Sequence, residues 1–131
     1  MRIGVIADIH GNLVALEATL AALAHEPLDR LVCLGDVATL GPRPAATLAR
    51  LRGLGCPVVM GNTDDWLLAA PRADRATPVS ELTAWAAAQL ADAERAFIRT
   101  FPPTLTIPLD GAATLLCCHG SPRSYHAPTT R

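Results

Sequence analysis

Five side chains with metal-binding or acid–base chemistry each close a short apolar run. They are Asp8 and His10 in Asp8-Ile9-His10, Asp36 in Gly35-Asp36, Asn62 in Gly61-Asn62 and His119 in Cys118-His119-Gly120. In an open α/β sheet, ligands bind in the crevice beyond the carboxyl ends of the strands. If the four apolar runs are strands of such a fold, two carboxylates, one carboxamide and two imidazoles converge there. Carboxylates packed that closely repel each other and lose hydration unless a cation compensates. Mixed oxygen and nitrogen donors suit Mn, Fe, Zn, Co or Ni better than Ca or Mg. The glycines beside the ligands allow close backbone approach in tight turns. Each residue alone has an ordinary reading: Asp8 as a helix cap, His10 as a loop histidine, Asp36 and Asn62 as turn residues after glycine, His119 as a strand cap. Chance does not readily place metal-compatible donors at all four strand ends.

The elements that must position these residues follow from the apolar pattern. Residues 2–7 are a continuous Ile/Val-rich run, the signature of a strand covered on both faces. Asn12 is placed to cap a helix in which Leu13, Leu16, Leu20 and Leu23 recur at helical spacing, and Pro27 stops it. Leu31 to Leu34 is a second strand, and residues 37–43 are a loop punctuated by Gly41-Pro42. Pro44 opens a second helix with Leu48 and Leu51 on its apolar face. Pro57 to Met60 is a third strand. This alternation implies right-handed crossovers and a parallel sheet. Asp64 and Asp65 are placed to cap one or two helical turns over 64–70. Residues 71–78 read as a surface loop carrying Arg72, Asp74 and Arg75. Ser80 caps a helix to about Leu90, and a shorter helical piece follows near 92–100. Leu105, Ile107 and Leu109 then alternate with polar or proline positions, Asp110-Gly111 signals a hairpin, and Ala112 to Cys118 is its second strand. Trp66 and Trp85 read as core or lid packing. The 131 residues show no repeat and no second unit, so residues 1–131 are expected to form a single domain.

Composition narrows the function classes. Half the residues are apolar and 18% are charged, which excludes a disordered chain. The formal net charge is −1 and all 11 cations are Arg. No basic field is evident for a nucleic-acid backbone or an anionic membrane. No apolar stretch approaches the roughly 20 residues a span needs, and the first residues are too short an apolar run for a signal peptide. A cytoplasmic location is therefore expected, with Cys33, Cys56, Cys117 and Cys118 kept as thiols. Their spacing fits no zinc pattern.

Taken in order, Asp8-Ile9-His10-Gly11-Asn12, Gly35-Asp36 with Gly41-Pro42, Gly61-Asn62-Thr63-Asp64 and His119-Gly120-Ser121-Pro122-Arg123 resemble the motif series of the calcineurin-like metallophosphoesterases. The small bacterial phosphodiesterase-like branch is the nearest. The resemblance implies an α/β fold, a two-sheet sandwich flanked by helices (α-β-β-α). It implies that Asp8 and His10 bind one metal, that Asp36 bridges two, and that Asn62 and His119 bind the second. The cofactors would be two divalent transition-metal ions, manganese first, with iron, zinc, nickel or cobalt as alternatives. A metal-bridging hydroxide would attack phosphorus in a small phosphoester substrate, which gives Asp36, Asn62 and His119 catalytic roles. Asn62, Arg43 and Arg123 are the candidates for contacting substrate phosphate, a task that suits Arg.

Two departures from the family pattern matter. The family often has His after Gly-Asn, and this chain has Thr63, whose hydroxyl cannot supply a proton near neutral pH as imidazole can. Diesters or good leaving groups are therefore favoured over alkyl monoesters. The family also ends its ligand set with a Gly-His-x-His block that is absent here. The expectation is a C-terminally truncated domain lacking its last strands, with an exposed edge that favours homo-oligomer formation or a partner chain. His126 follows His119 by seven residues and is a minor candidate for a substitute ligand. The alternative function is a non-catalytic domain of the same fold that binds a protein partner.

Overall fold

The computed structural model describes residues 1–69 and 78–126. Strand β1 (Ile3–Ile6) leads into helix α1 (Leu13–Leu23). Asn12 caps α1 as its sequence position suggests, its side-chain oxygen accepting from the Ala15 N–H at 3.0 Å. Leu16 is the buried centre of the α1 apolar face, with Leu13, Leu20 and Leu23 packed around it. Strand β2 (Arg30–Cys33) returns parallel to β1, in register from Ile3 opposite Arg30 to Ile6 opposite Cys33. Helix α2 (Pro44–Leu54) opens on its proline, buries Thr47, Leu48 and Leu51, and ends at Gly55 in the left-handed region.

The expected third strand is much reduced. Pro57 to Met60 contributes a single parallel bridge, Cys33 opposite Val58, held by Cys33 N–H to the Pro57 carbonyl and Val59 N–H to the Cys33 carbonyl, both 3.0 Å. Pro57 has no N–H to extend the ladder. Past the bridge, Met60 N–H turns away to the Pro102 carbonyl at 2.8 Å. The segment still delivers Gly61 and Asn62 to the same end as β1 and β2.

Three helices follow: α3 (Asn62–Leu68), α4 (Pro78–Ala88) and α5 (Asp92–Ile98). The hairpin β3 (Thr104–Pro108) and β4 (Thr114–Cys118) is antiparallel, pairing Thr104 with Cys118 and Pro108 with Thr114. Gly111 takes the left-handed conformation its turn requires.

Two apolar clusters hold these elements as layers. The larger gathers Leu16, Leu48, Leu51, Leu67 and Ile98 from the helices against Ile6, Cys33 and Val58. The smaller joins Val32 and Val59 to Ile107 and Cys117, which packs the hairpin face to face with the parallel sheet. The result is the expected α/β sandwich. The hairpin covers β2 more completely than β1: Val32 is fully buried and Ile3 packs at the cluster's edge, while Val5, the register partner of Val32, is 51% exposed.

Trp66 and Trp85 are not core residues; they are 37% and 46% exposed. All four cysteines are free thiols, as expected. Burial pushes the Cys33 thiol up to about 12, so it is an inert apolar group at neutral pH. Among the described residues no helix is long and apolar enough to cross a membrane. The Arg72, Asp74 and Arg75 loop lies outside the described residues.

Candidate metal centre

The parallel ladder does not stop at the ends of β1 and β2. The loops beyond them continue it: Asp8 N–H bonds the Gly35 carbonyl (3.1 Å), His10 N–H the Asp36 carbonyl (2.9 Å) and Gly11 N–H the Val37 carbonyl (2.7 Å). This zipper brings Asp8, His10 and Asp36 together. All three hold left-handed backbone, with φ of 54°, 49° and 55°. Such a conformation costs a non-glycine residue roughly 1–2 kcal/mol and persists where the surroundings over-determine it. The approach also depends on glycine. A Cβ at Gly41 would overlap the His10 carbonyl oxygen, and one at Gly61 would overlap Oδ1 and the backbone nitrogen of Asp36.

The side chains converge on one carboxylate oxygen. Asp36 is 4% exposed. Its Oδ1 accepts the Thr63 N–H at 3.0 Å. Its Oδ2 lies between two imidazoles, 3.9 Å from His10 Nε2 and 3.6 Å from His119 Nε2. Asp8 Oδ1 is 3.6 Å from His10 Nε2. One ligand atom from each of Asp8, His10 and Asp36 falls within 4.8 Å of the others. On the other side of Asp36, His119 Nε2 is 3.0 Å from Asn62 Oδ1. The five expected donors are thus assembled as two groups that share Asp36.

The histidines are oriented as ligands. His119 Nδ1 is 2.8 Å from the Leu34 carbonyl, and His10 Nδ1 is 3.2 Å from the Thr39 carbonyl. A carbonyl only accepts, so Nδ1 carries the proton in each pair. A neutral ring then presents the lone pair of Nε2 to the centre, the arrangement seen in metal-bound histidines. In that state His119 Nε2 and Asn62 Oδ1 face each other as two acceptors, which favours a cation bonded to both. The 3.6–3.9 Å gaps are too long for hydrogen bonds. Tetrahedral ligands at about 2.0–2.2 Å from one ion lie roughly 3.3–3.6 Å apart, so the cluster is at or slightly wider than that spacing. The donor set therefore fits divalent metal.

Sequence reasoning undervalued Asp64. Its carboxylate is fully buried and accepts three backbone N–H groups: Asp36 at 2.8 Å, Val37 at 2.8 Å and Gly61 at 3.1 Å. The Gly61 bond is the helix cap that its position suggests. The other two clamp the loop after β2 to the first turn of α3, and so fix Asp36. Burial pushes its carboxyl up to about 6, with the Asp36 charge adding, while the three N–H groups pull it down. The signal available was Gly61-Asn62-Thr63-Asp64, an acid three residues after a helix start.

The remaining candidates are outside the cluster. Arg43 and Arg123 are exposed, and among the described residues neither guanidinium pairs with the cluster. His126 Nε2 meets Asp65 Oδ2 at 3.2 Å and so is not placed as a replacement ligand.

The whole chain, residues 1–131, matches the calcineurin-like phosphoesterase superfamily domain. The chain belongs to this superfamily. A metallophosphoesterase from Sphaerobacter thermophilus is similar in structure, with a TM-score of 0.75 at 33% identity. That likeness covers 98% of this chain and 50% of the other. A putative diadenosine tetraphosphatase superimposes with a TM-score of 0.71 at 28% identity, over 92% of this chain and 50% of that one. The symmetrical bis(5'-nucleosyl)-tetraphosphatase of Methylococcus capsulatus is 39% identical over 72 residues, which are 53% of this chain and 26% of that enzyme. This calcineurin-like chain therefore spans about half the length of its structural relatives, and its match to the tetraphosphatase covers a smaller share.

Proposed function

We propose that this calcineurin-like phosphoesterase chain is a two-metal-dependent hydrolase of small phosphoesters. The observation that carries the reading is Asp36 Oδ2, set between His10 Nε2 and His119 Nε2 at 3.9 and 3.6 Å. Asp8 and His10 would hold one ion, Asn62 and His119 the other, and Asp36 both. Divalent ions bound there supply an acidified water as nucleophile and offset charge on the phosphoryl oxygens. Manganese is the first candidate.

The protein's own residues do the positioning. Asp36 is held on three sides, by Thr63 N–H on Oδ1, by Asp64 on its backbone nitrogen and by His10 N–H on its carbonyl. Leu34 and Thr39 fix the imidazole planes through their carbonyls. The Asn62 carboxamide, at the first turn of α3, has one oxygen toward His119 and an NH₂ that can donate to a phosphoryl oxygen. Arg43 and Arg123 are exposed and pair with no acid among the described residues, and would meet substrate phosphate.

The preferred substrate is a diester, or an ester with a good leaving group. Thr63 Oγ1 is buried and unpartnered among the described residues, so it is not placed to protonate a leaving oxygen. The names of the tetraphosphatase relatives extend the substrate class to dinucleoside polyphosphates. The test is hydrolysis of bis-p-nitrophenyl phosphate and p-nitrophenyl phosphate with added Mn²⁺. The reading predicts turnover of the diester that EDTA abolishes and that exceeds monoester turnover. Diester turnover indifferent to EDTA would overturn it.

A further inference from the structure

Beyond His119 the chain turns back toward the metal centre. Ser121 and Ser124 close the turn with two backbone bonds of 3.1 and 3.2 Å, and Ser121 Oγ accepts the Ser124 N–H at 3.2 Å. The far end is tied down where His126 Nε2 meets Asp65 Oδ2 at 3.2 Å. Ser121 stands two residues past His119, and Asp65 three past Asn62. Two residues of chain reach at most about 7 Å. The turn is therefore pinned at both ends beside the His119–Asn62 half of the centre.

Between this turn and the start of β3 lies a cavity of about 360 Å³, lined by Pro103, Thr104, Ser121, Arg123, Tyr125 and His126 among others. That volume is too large for a lone phosphate and lies within the range of small-ligand sites, about 300–1,000 Å³. Its walls combine two chemistries. Arg123 offers a guanidinium that no carboxylate among the described residues neutralises, and the serine hydroxyls lie beside it. Tyr125 offers a ring that is half-buried against the main core and rests 4.6 Å from the His126 ring. A fixed ring beside an unpaired cation suits a ligand with both an aromatic plane and a negative charge.

We propose that this cavity is a nucleotide subsite for one arm of a phosphodiester, with Arg123 on its phosphate and Tyr125 against its base. The assignment rests on the hydrolase reading for its place in a reaction, but not for binding itself. The test therefore begins without metal. Binding of AMP, adenosine and inorganic phosphate to the chain in EDTA is measured by calorimetry. AMP is expected to bind at least tenfold more tightly than either fragment. Arg123→Ala should weaken AMP about tenfold and leave adenosine unchanged. Tyr125→Leu should weaken both AMP and adenosine, and Tyr125→Phe should restore them. AMP binding no tighter than phosphate, or indifference to Arg123→Ala, overturns the subsite. Arg123 is exposed, so its variant decides the matter even if Tyr125→Leu unfolds. With Mn²⁺ added, thymidine 5'-p-nitrophenyl phosphate should show a lower KM than bis-p-nitrophenyl phosphate. Nucleotide binding without hydrolysis would sink the hydrolase reading alone, and hydrolysis without nucleotide binding would sink the subsite alone.

Discussion

Gly61→Ala isolates the packing on which Asp36 depends. Gly61 has φ −95° and ψ 164°, a conformation alanine adopts freely, so the substitution introduces no backbone strain. What it introduces is a methyl group that overlaps Asp36 Oδ1 and the Asp36 nitrogen, with Cγ at 3.0 Å. Neither neighbour can yield cheaply. Oδ1 is bonded to Thr63 N–H, and the nitrogen is bonded to Asp64. Overpacking of this kind costs about 1–3 kcal/mol. Relief by displacing the carboxylate would move Oδ2 from between the two imidazoles and weaken metal binding, by about 10–100-fold if it behaves as a disturbed ligand support. Gly53→Ala is the control. Gly53 lies in α2 with nothing within 4 Å of an added Cβ, so it should stabilise the chain by about 0.4–1 kcal/mol. Urea unfolding followed by tryptophan fluorescence gives both stabilities, and Mn²⁺ calorimetry gives the affinities. A Gly61→Ala chain as stable as Gly53→Ala, with unchanged metal affinity, would refute the packing argument.

Other perturbations separate further parts of the account. The Asp64 carboxyl is pushed up from 3.8 to about 6, so the folded chain holds a proton that the unfolded chain has lost. The stability this contributes is present below about pH 4 and lost as pH rises through 6. Relative to Asp64→Asn, metal-free wild type should lose roughly 2–3 kcal/mol between pH 4 and 7, measured by urea unfolding in EDTA. A flat difference would mean the carboxyl is not perturbed. Val32→Ala should cost about 2–3 kcal/mol and Val5→Ala under half of that, because only Val32 is sealed between the sheets. Equal losses would show that Val5 is covered too. Iodoacetamide at pH 8 should label the half-buried Cys56 and Cys118 before Cys33, whose thiol is buried and pushed up to about 12. Early labelling of Cys33, read by peptide mass, would contradict its burial.

Much of the site was legible in the sequence because its residues stand where apolar runs end, and those runs fix the direction of each strand. Asp8, Asp36 and His119 needed only that rule. What stayed hidden depends on long-range geometry. The segment Pro57 to Met60 has a strand's composition but makes one bridge, because Pro57 lacks a donor and Met60 is drawn to Pro102. Asp64 reads as a helix cap from its spacing alone. Its bonds to Asp36 and Val37 come from a loop 28 and 27 residues away, which periodicity does not encode. Trp66 and Trp85 sit on helices as their spacing suggests, but neither is buried in the core, because their exposure depends on how α3 and α4 pack. The left-handed backbone at His10 and Asp36 has no residue signature, since glycine is the usual occupant.

The central claim is that Asp36 is the shared ligand of a divalent metal centre. Calorimetric titration of chelator-stripped chain with Mn²⁺, wild type against Asp36→Asn, tests it most directly. Asparagine keeps the shape and still accepts the Thr63 N–H, but it removes the shared anionic oxygen. The account predicts saturable binding by the wild type and at least a hundredfold loss at every site in the variant. Equal binding by the two chains, or none by the wild type, would contradict it.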